Sequence, residues 1–251
     1  MNKLTPSLNF LEKNWKKLKR LHPLSIDLEK ITLINEKSLE FLSNPNNVES
    51  LILKLGLTDD AQEEFPESIY PYCGQGLYIM QYPIQFSKYL VDLSRLKISS
   101  YLEIGVRHGG TFVATVEYLT KFYNIDLAVG IDIMPCPSIT QYKKINSQVE
   151  FVKLNTQTNQ FSDFLKKYKQ FDLVLIDANH TENECRNEFM AVKNQANIVV
   201  FHDIASIDFP GVKIVWDEVK RLKEYDCIEY IQQYQVIGPY MGIGMAIRKD
   251  R

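Results

Sequence analysis

Apolar positions along this chain recur in two rhythms, and the change between them divides it. Leu8, Leu11, Trp15 and Leu18 follow one another at three- and four-residue steps, as do Leu28, Ile31, Ile34 and Leu39, so helices are expected up to about Lys54. Between Gly56 and Pro83 the texture turns to acids, prolines, glycines and tyrosines, including PESIYPYCGQGLYIMQYP, which predicts irregular chain. The amphipathic segment IQFSKYLVDLSRL then opens an alternation of compact β-branched runs with helical stretches. The strands are SYLEIG, LAVGIDI, VEFVKLN, FDLVLIDA and NIVVFHDI, and the helices fall near Thr111 to Tyr123, Ser138 to Asn146, Asn159 to Tyr168 and Glu182 to Lys193. A helix carrying GVKIVWDEVKRLK, with Trp216 on its core face, precedes two strands, CIEYIQQYQV and MGIGMAIRK, joined by a turn at Gly238 and Pro239.

Such alternation is the signature of α/β architecture. The nearly all-apolar middles of the first, fourth and fifth strands require helices on both faces. The fold class expected is a doubly wound, Rossmann-like sheet, mostly parallel with an antiparallel C-terminal strand. A helical appendage with its aromatic-rich loop occupies 1–81, and the main domain runs over 82–251.

Charge and cysteine usage narrow the function classes. A formal net charge of −2 leaves no global positive field for nucleic acid or an anionic membrane. The cluster Lys13, Lys16, Lys17, Lys19 and Arg20 reads first as a solvated helix face. No apolar run approaches the ~20 residues needed to span a bilayer, and MNKLTPSLNF lacks the features of a secretory signal, so a cytoplasmic protein is expected. Cys73, Cys136, Cys185 and Cys227 are too scattered for a disulfide framework or a thiolate zinc site. A small-molecule partner is expected, and self-association is left open.

In open α/β sheets ligands bind outside the carboxyl ends of the strands. The first strand ends in Glu103-Ile104-Gly105-Val106-Arg107-His108-Gly109-Gly110-Thr111, where glycines allow a tight bend and close approach of a ligand. The second strand ends in Asp132, placed to accept from two ribose hydroxyls. The glycine spacing is not GxGxxG. A carboxylate at Glu103 repels a pyrophosphate and suits a cation, as the sulfonium and amino groups of S-adenosylmethionine would be.

These motifs, with QYPIQF, LIDANHT and VVFHDI in the same order, resemble the class I S-adenosylmethionine-dependent methyltransferases, in particular the methyltransferase domain 24 or cephalosporin-hydroxylase-like branch. The resemblance covers about Gln81 to Arg248. It implies that Glu103, Gly105 and Gly109 surround the methionine part of the cofactor, that Asp132 binds the ribose, and that Asn155 and Thr156 lie near the adenine. Thr111, Ile133 and Asp177 complete the implied cofactor contacts. Some relatives of this branch bind magnesium through acids at the fourth and fifth strand ends, which implies an Mg2+ site from Asp177 and Asp203. Here His202-Asp203 stands where several of them have two consecutive acids, so one hard ligand is missing.

The fourth and fifth strand ends also carry the candidate bases, His180 and His202, since imidazole titrates near working pH. Side chains alternate along an extended segment, so His202 and Asp203 share a cleft only if the strand has already ended. His108 is either a cofactor neighbour or packing. Tyr70, Tyr72, Tyr78 and Tyr82 are either an acceptor wall or packing for the appendage. The activity expected is methyl transfer to an oxygen or nitrogen of a small polar acceptor, with a sugar or sugar-linked phosphoryl group of natural-product or polysaccharide biosynthesis as the acceptor implied by the resemblance. The rivals are a metal-dependent hydroxylase, a nicotinamide oxidoreductase and a non-catalytic binding protein that keeps the fold.

Overall fold

A computed structural model describes residues 24–234 and 239–249. The basic cluster from Lys13 to Arg20, the expected first helix and Gly238 lie outside the described residues. The appendage begins as three short pieces where one longer helix is expected: a 3-10 turn at Leu28–Ile31, α1 (Thr32–Asn35) and α2 (Leu39–Leu42). Ser38 breaks the run, because its side chain accepts from Phe41 N and starts a new helix instead of continuing the old one. Asn44 and Pro45 then open α3 (Pro45–Leu55) by the same logic, an amide cap followed by proline in the first turn. The stretch from Gly56 to Gln81 is irregular as expected. Two 3-10 turns and isolated bridges from Leu57 to Cys73 and Ile79 hold it.

The main unit comprises α4 (Pro83–Leu93), β1 (Ser100–Ile104), α5 (Gly110–Thr120), β2 (Leu127–Asp132), α6 (Pro137–Tyr142), β3 (Val149–Lys153), α7 (Asn159–Leu165), β4 (Phe171–Ile176), α8 (Glu182–Val192), β5 (Ala196–His202), α9 (Pro210–Val219), β6 (Tyr225–Tyr230) and β7 (Ile243–Arg248). The seven strands form one sheet in the order β3-β2-β1-β4-β5-β7-β6. All pairs from β3 to β5 are parallel, and β7 runs antiparallel to both of its neighbours. The doubly wound α/β class read from the sequence is therefore the observed one. Helices end earlier than the periodicity suggests because their last residues form i→i−3 turns, as where Lys121 N and Phe122 N donate to Tyr118 O and Leu119 O. Likewise β6 stops at Tyr230, well before Val236.

Alternation along the strands sends side chains into two separate cores. Tyr101, Ala128, Leu173, Leu175, Ile198 and Val200 pack with α4, α5, α6 and the appendage. Leu102, Ile104, Val129, Ile131, Val174, Ile176, Val199 and Phe201 pack with α7, α8 and α9, where Trp216 is buried. The appendage thus shares one core with the sheet, from Ile26 and Leu42 to Met245. Tyr82 belongs to it, fully buried between Phe65 and Tyr234 with ring centroids 5.3 and 5.1 Å away. All four cysteines are free, and no described helix is long and apolar enough to cross a membrane.

Candidate functional site

Strand order reverses between β1 and β4, and a cavity of about 780 Å³ opens over that point at the carboxyl edge. Glu103, Gly105, Thr111, Asp132, Ile133, Asn155, Thr156, Asp177, His180, His202 and Asp203 all line it. Register explains the convergence. Glu103 shares a face with Tyr101, and Leu175 beside it starts the two-residue step to Asp177; His202 follows Phe201, the partner of Ile176.

Gly105 and Gly109 have φ of +92° and +87°, a region that favours glycine. The close approach they permit is to the protein itself. A Cβ at Gly105 would stand 2.1 Å from Asp177 O, and one at Gly109 2.9 Å from Ile139 Cγ1. Gly109 is not among the cavity-lining residues. The bend does, however, aim backbone at the next acid. Arg107 N donates to Asp132 Oδ2 and Met134 N to Asp132 Oδ1, both at 2.8 Å. The carboxylate is thereby oriented, and each oxygen keeps a lone pair for further donors.

Glu103 lies beneath the cavity, fully buried, and accepts from the Tyr101 hydroxyl while its Oε1 has no partner. Burial pushes its carboxyl well above the usual range, with Asp177 adding to the rise and the Tyr101 bond opposing it. Burial thus favours the protonated form of the carboxyl that the sequence analysis reads as an anion. At the end of β3, Asn155 Oδ1 accepts from Gln157 N at 2.9 Å and so is spent on the loop. Thr156 Oγ1 donates to Glu188 Oε1 at 2.6 Å.

The β4 and β5 ends hold a cluster of two aspartates and two histidines. Asp203 has φ +64°, so the strand ends at His202 and the bend returns Asp203 to the same cavity. His202 Nδ1 lies 3.0 Å from Asp177 Oδ1 and 3.5 Å from Asp203 Oδ2. His180 Nδ1 lies 2.9 Å from Asp203 Oδ2, and its ring stacks on Phe209 at 4.3 Å between centroids. Burial works against charge on His202, but the two aspartates outweigh it and hold the imidazole well above its ordinary pKa. Asp203 is held low: burial opposes this, and the two histidines overcome it. Among the described residues no group of three His, Cys, Asp or Glu is arranged to hold a metal ion.

Several site residues went unread in the sequence. Gln81 Nε2 donates to Asp177 Oδ2 at 3.2 Å, and Asp60, Glu64 and Met80 bring the appendage to the cavity wall. Arg107 is ion-paired with Asp60 there. Tyr240, not the tyrosines of the aromatic loop, supplies the phenol on the cavity wall. His108 is packing: it is buried, its Nδ1 accepts from Leu24 N at 3.2 Å, and burial together with Arg107 lowers its pKa to about 4.

No protein-family profile and no curated protein sequence matches the chain. Solved structures do. The chain resembles cofactor-bound Rv0187 from MTB (15% identity, TM-score 0.52, 84% of this chain and 91% of that one). It also resembles the SAH-bound methyltransferase PaMTH1 from Podospora anserina (12% identity, TM-score 0.51, 100% of this chain and 99% of that one). At these identities the shared property is the fold.

Proposed function

We propose that this chain is an S-adenosylmethionine-dependent methyltransferase acting on an oxygen or nitrogen of a small polar acceptor. One observation carries the reading: a cavity at the strand reversal has an amide-oriented carboxylate, Asp132, on one side and a buried acid with a free oxygen, Glu103, beneath it. The first suits a ribose diol. The second suits the ammonium or sulfonium end of the cofactor, whose charge would draw off the Glu103 proton, and it is poor surroundings for a pyrophosphate. That the similar PaMTH1 structure binds SAH supports the same ligand class.

In this reading His180 is the general base and Asp203 orients it, while the His202 imidazole lies against Asp177 and Asp203 and positions them. Transfer is in line, and most of the acceleration comes from holding acceptor and methyl donor together. The His202 imidazole sits against both carboxylates that would ligate magnesium, so this reading assigns no role to a divalent ion. Beside the clustered acids Glu63, Glu64 and Asp208 a phosphoryl-bearing acceptor is disfavoured, and a neutral hydroxyl-bearing one such as a sugar fits better. Calorimetry with SAH and with NADH tests the reading. Binding of SAH alone is expected, and binding of NADH alone overturns it.

A further inference from the structure

Two buried glutamines of the QYPIQF motif, Gln81 and Gln85, are not used by the proposed chemistry, and each holds a residue that lines the cavity. Gln81 holds Asp177. Gln85, fully buried in the first turn of α4, grips the chain just before β7: its Nε2 donates to Tyr240 O at 3.3 Å, and its Oε1 accepts from Gly242 N at 2.9 Å. Gln233 Nε2 donates to the same Tyr240 carbonyl at 2.6 Å. Met241 and Gly242 follow with φ of +55° and +99°, and their carbonyls accept from Ala205 N and Ile204 N at 2.9 and 3.2 Å. A residue other than glycine keeps such a φ only where its surroundings fix it. The backbone at Tyr240 is thus anchored from α4, from its own loop and from the turn after β5.

The side chain presented this way is a phenol with an unused hydroxyl. The Tyr240 ring lines the cavity and meets the buried Tyr82 edge to face, 6.4 Å between centroids. Its hydroxyl makes no hydrogen bond among the described residues. A phenol is protonated at neutral pH in any case, and burial together with the charges of Asp203, Glu64, Glu63 and Asp208 pushes its pKa higher still, so it is a donor and not a base. Asp203, the foremost of those charges, is the carboxylate that His180 meets at 2.9 Å, so phenol and proposed base serve the same end of the cavity. An O–H donor there can take an oxygen of the acceptor. Donation to the attacking oxygen would draw density from the lone pair that takes the methyl group. The phenol therefore suits a second oxygen that does not react.

Resting on the reading of a neutral hydroxyl-bearing acceptor, we propose that Tyr240, presented by Gln85, binds a non-reacting oxygen of that acceptor, so that the substrate is a compound with at least two oxygens. The test follows methyl transfer from radiolabelled S-adenosylmethionine to simple hexoses and their methyl glycosides. With a sugar that turns over, Tyr240→Phe should raise KM by about three- to tenfold, as the loss of one hydrogen bond does, and change kcat by no more than about twofold. SAH affinity should stay that of wild type. Gln85→Met, which removes both anchoring bonds, should raise KM to a similar extent, and the double variant should lie within about twofold of Tyr240→Phe; additive losses overturn the role of Gln85. Unchanged KM in Tyr240→Phe, or a fall in kcat with KM unchanged, overturns the inference, and this arm stands by itself should Gln85→Met not fold. If SAH binds but no hexose or glycoside is methylated, the polyhydroxyl acceptor falls and the inference with it, while the cofactor reading stands. If SAH does not bind, the cofactor reading itself falls.

Discussion

Two ends of one cavity hold carboxylates in opposite ways. At β2, Asp132 is fixed by the backbone amides of Arg107 and Met134, which orient it without neutralising it. At β4 and β5, Asp177 and Asp203 are faced by the imidazoles of His180 and His202, so they are already engaged by side chains of the protein. Main-chain donors leave a carboxylate open to a ligand, whereas side-chain imidazoles make it part of a self-contained network. In the proposed reading the first arrangement recognises and the second prepares protons, so the same residue type serves binding at one end and acid–base work at the other.

That contrast can be broken at several points. The largest effect is expected from His180→Ala, which should lower kcat by about 100- to 10,000-fold with any acceptor that turns over, while calorimetry shows SAH affinity unchanged. His202→Leu should cost about 3 kcal/mol in urea unfolding, because it takes from the buried Asp203 and from Asp177 the imidazole that lies against both. Glu188 adds a pH signature. Its folded pKa, about 7, exceeds the ordinary 4.5, so the folded chain holds that proton more tightly than the unfolded one. Its contribution is full below about pH 4.5 and is lost as the pH rises to about 7, a span worth about 3 kcal/mol. Glu188→Gln should flatten that part of the profile in thermal unfolding across the same range. Asp132→Ala should weaken SAH binding by about tenfold or more through lost charge-assisted ribose bonds, with a stability loss of about 1 to 2 kcal/mol from the Arg107 and Met134 amides left without their acceptor. The smallest effect is expected from a chelator, which should leave turnover where it was; loss of activity restored by magnesium would reassign the aspartates as ligands.

The sheet was legible because its information is local and periodic. Apolar runs such as FDLVLI and NIVVF mark strands buried on both faces, and the ends of those strands name most of the cavity. Pairwise details were not. Nothing in Glu103-Ile104-Gly105 tells that Tyr101, two residues back on the same face, will hand its hydroxyl to Glu103 and that burial will push the carboxyl's pKa up. Glu188 reads as an ordinary helical acid until α8 is laid against the loop after β3. Gln81 and Asp60 lie far from the strand ends in sequence, in a segment without period, and only tertiary packing brings them to the wall, whereas Tyr240 stands just before β7, which starts beside His202 at the same edge. The one local clue available was Asp203: His-Asp at a strand end serves one cavity only if the chain bends, and the positive φ of Asp203 is that bend.

The appendage touches the glycine bend at three successive points: Asp60 on Arg107, Leu24 N on His108, and the Leu77 carbonyl 1.9 Å from where a Cβ at Gly110 would stand. Anything that reshapes residues 24–81 therefore also pulls on the loop that aims Asp132. In the proposed reading, grafting a foreign N-terminal segment to change the acceptor would detune the cofactor pocket as well, and tolerance for a new acceptor has to be sought by exchanging single wall residues such as Met80 or Glu64.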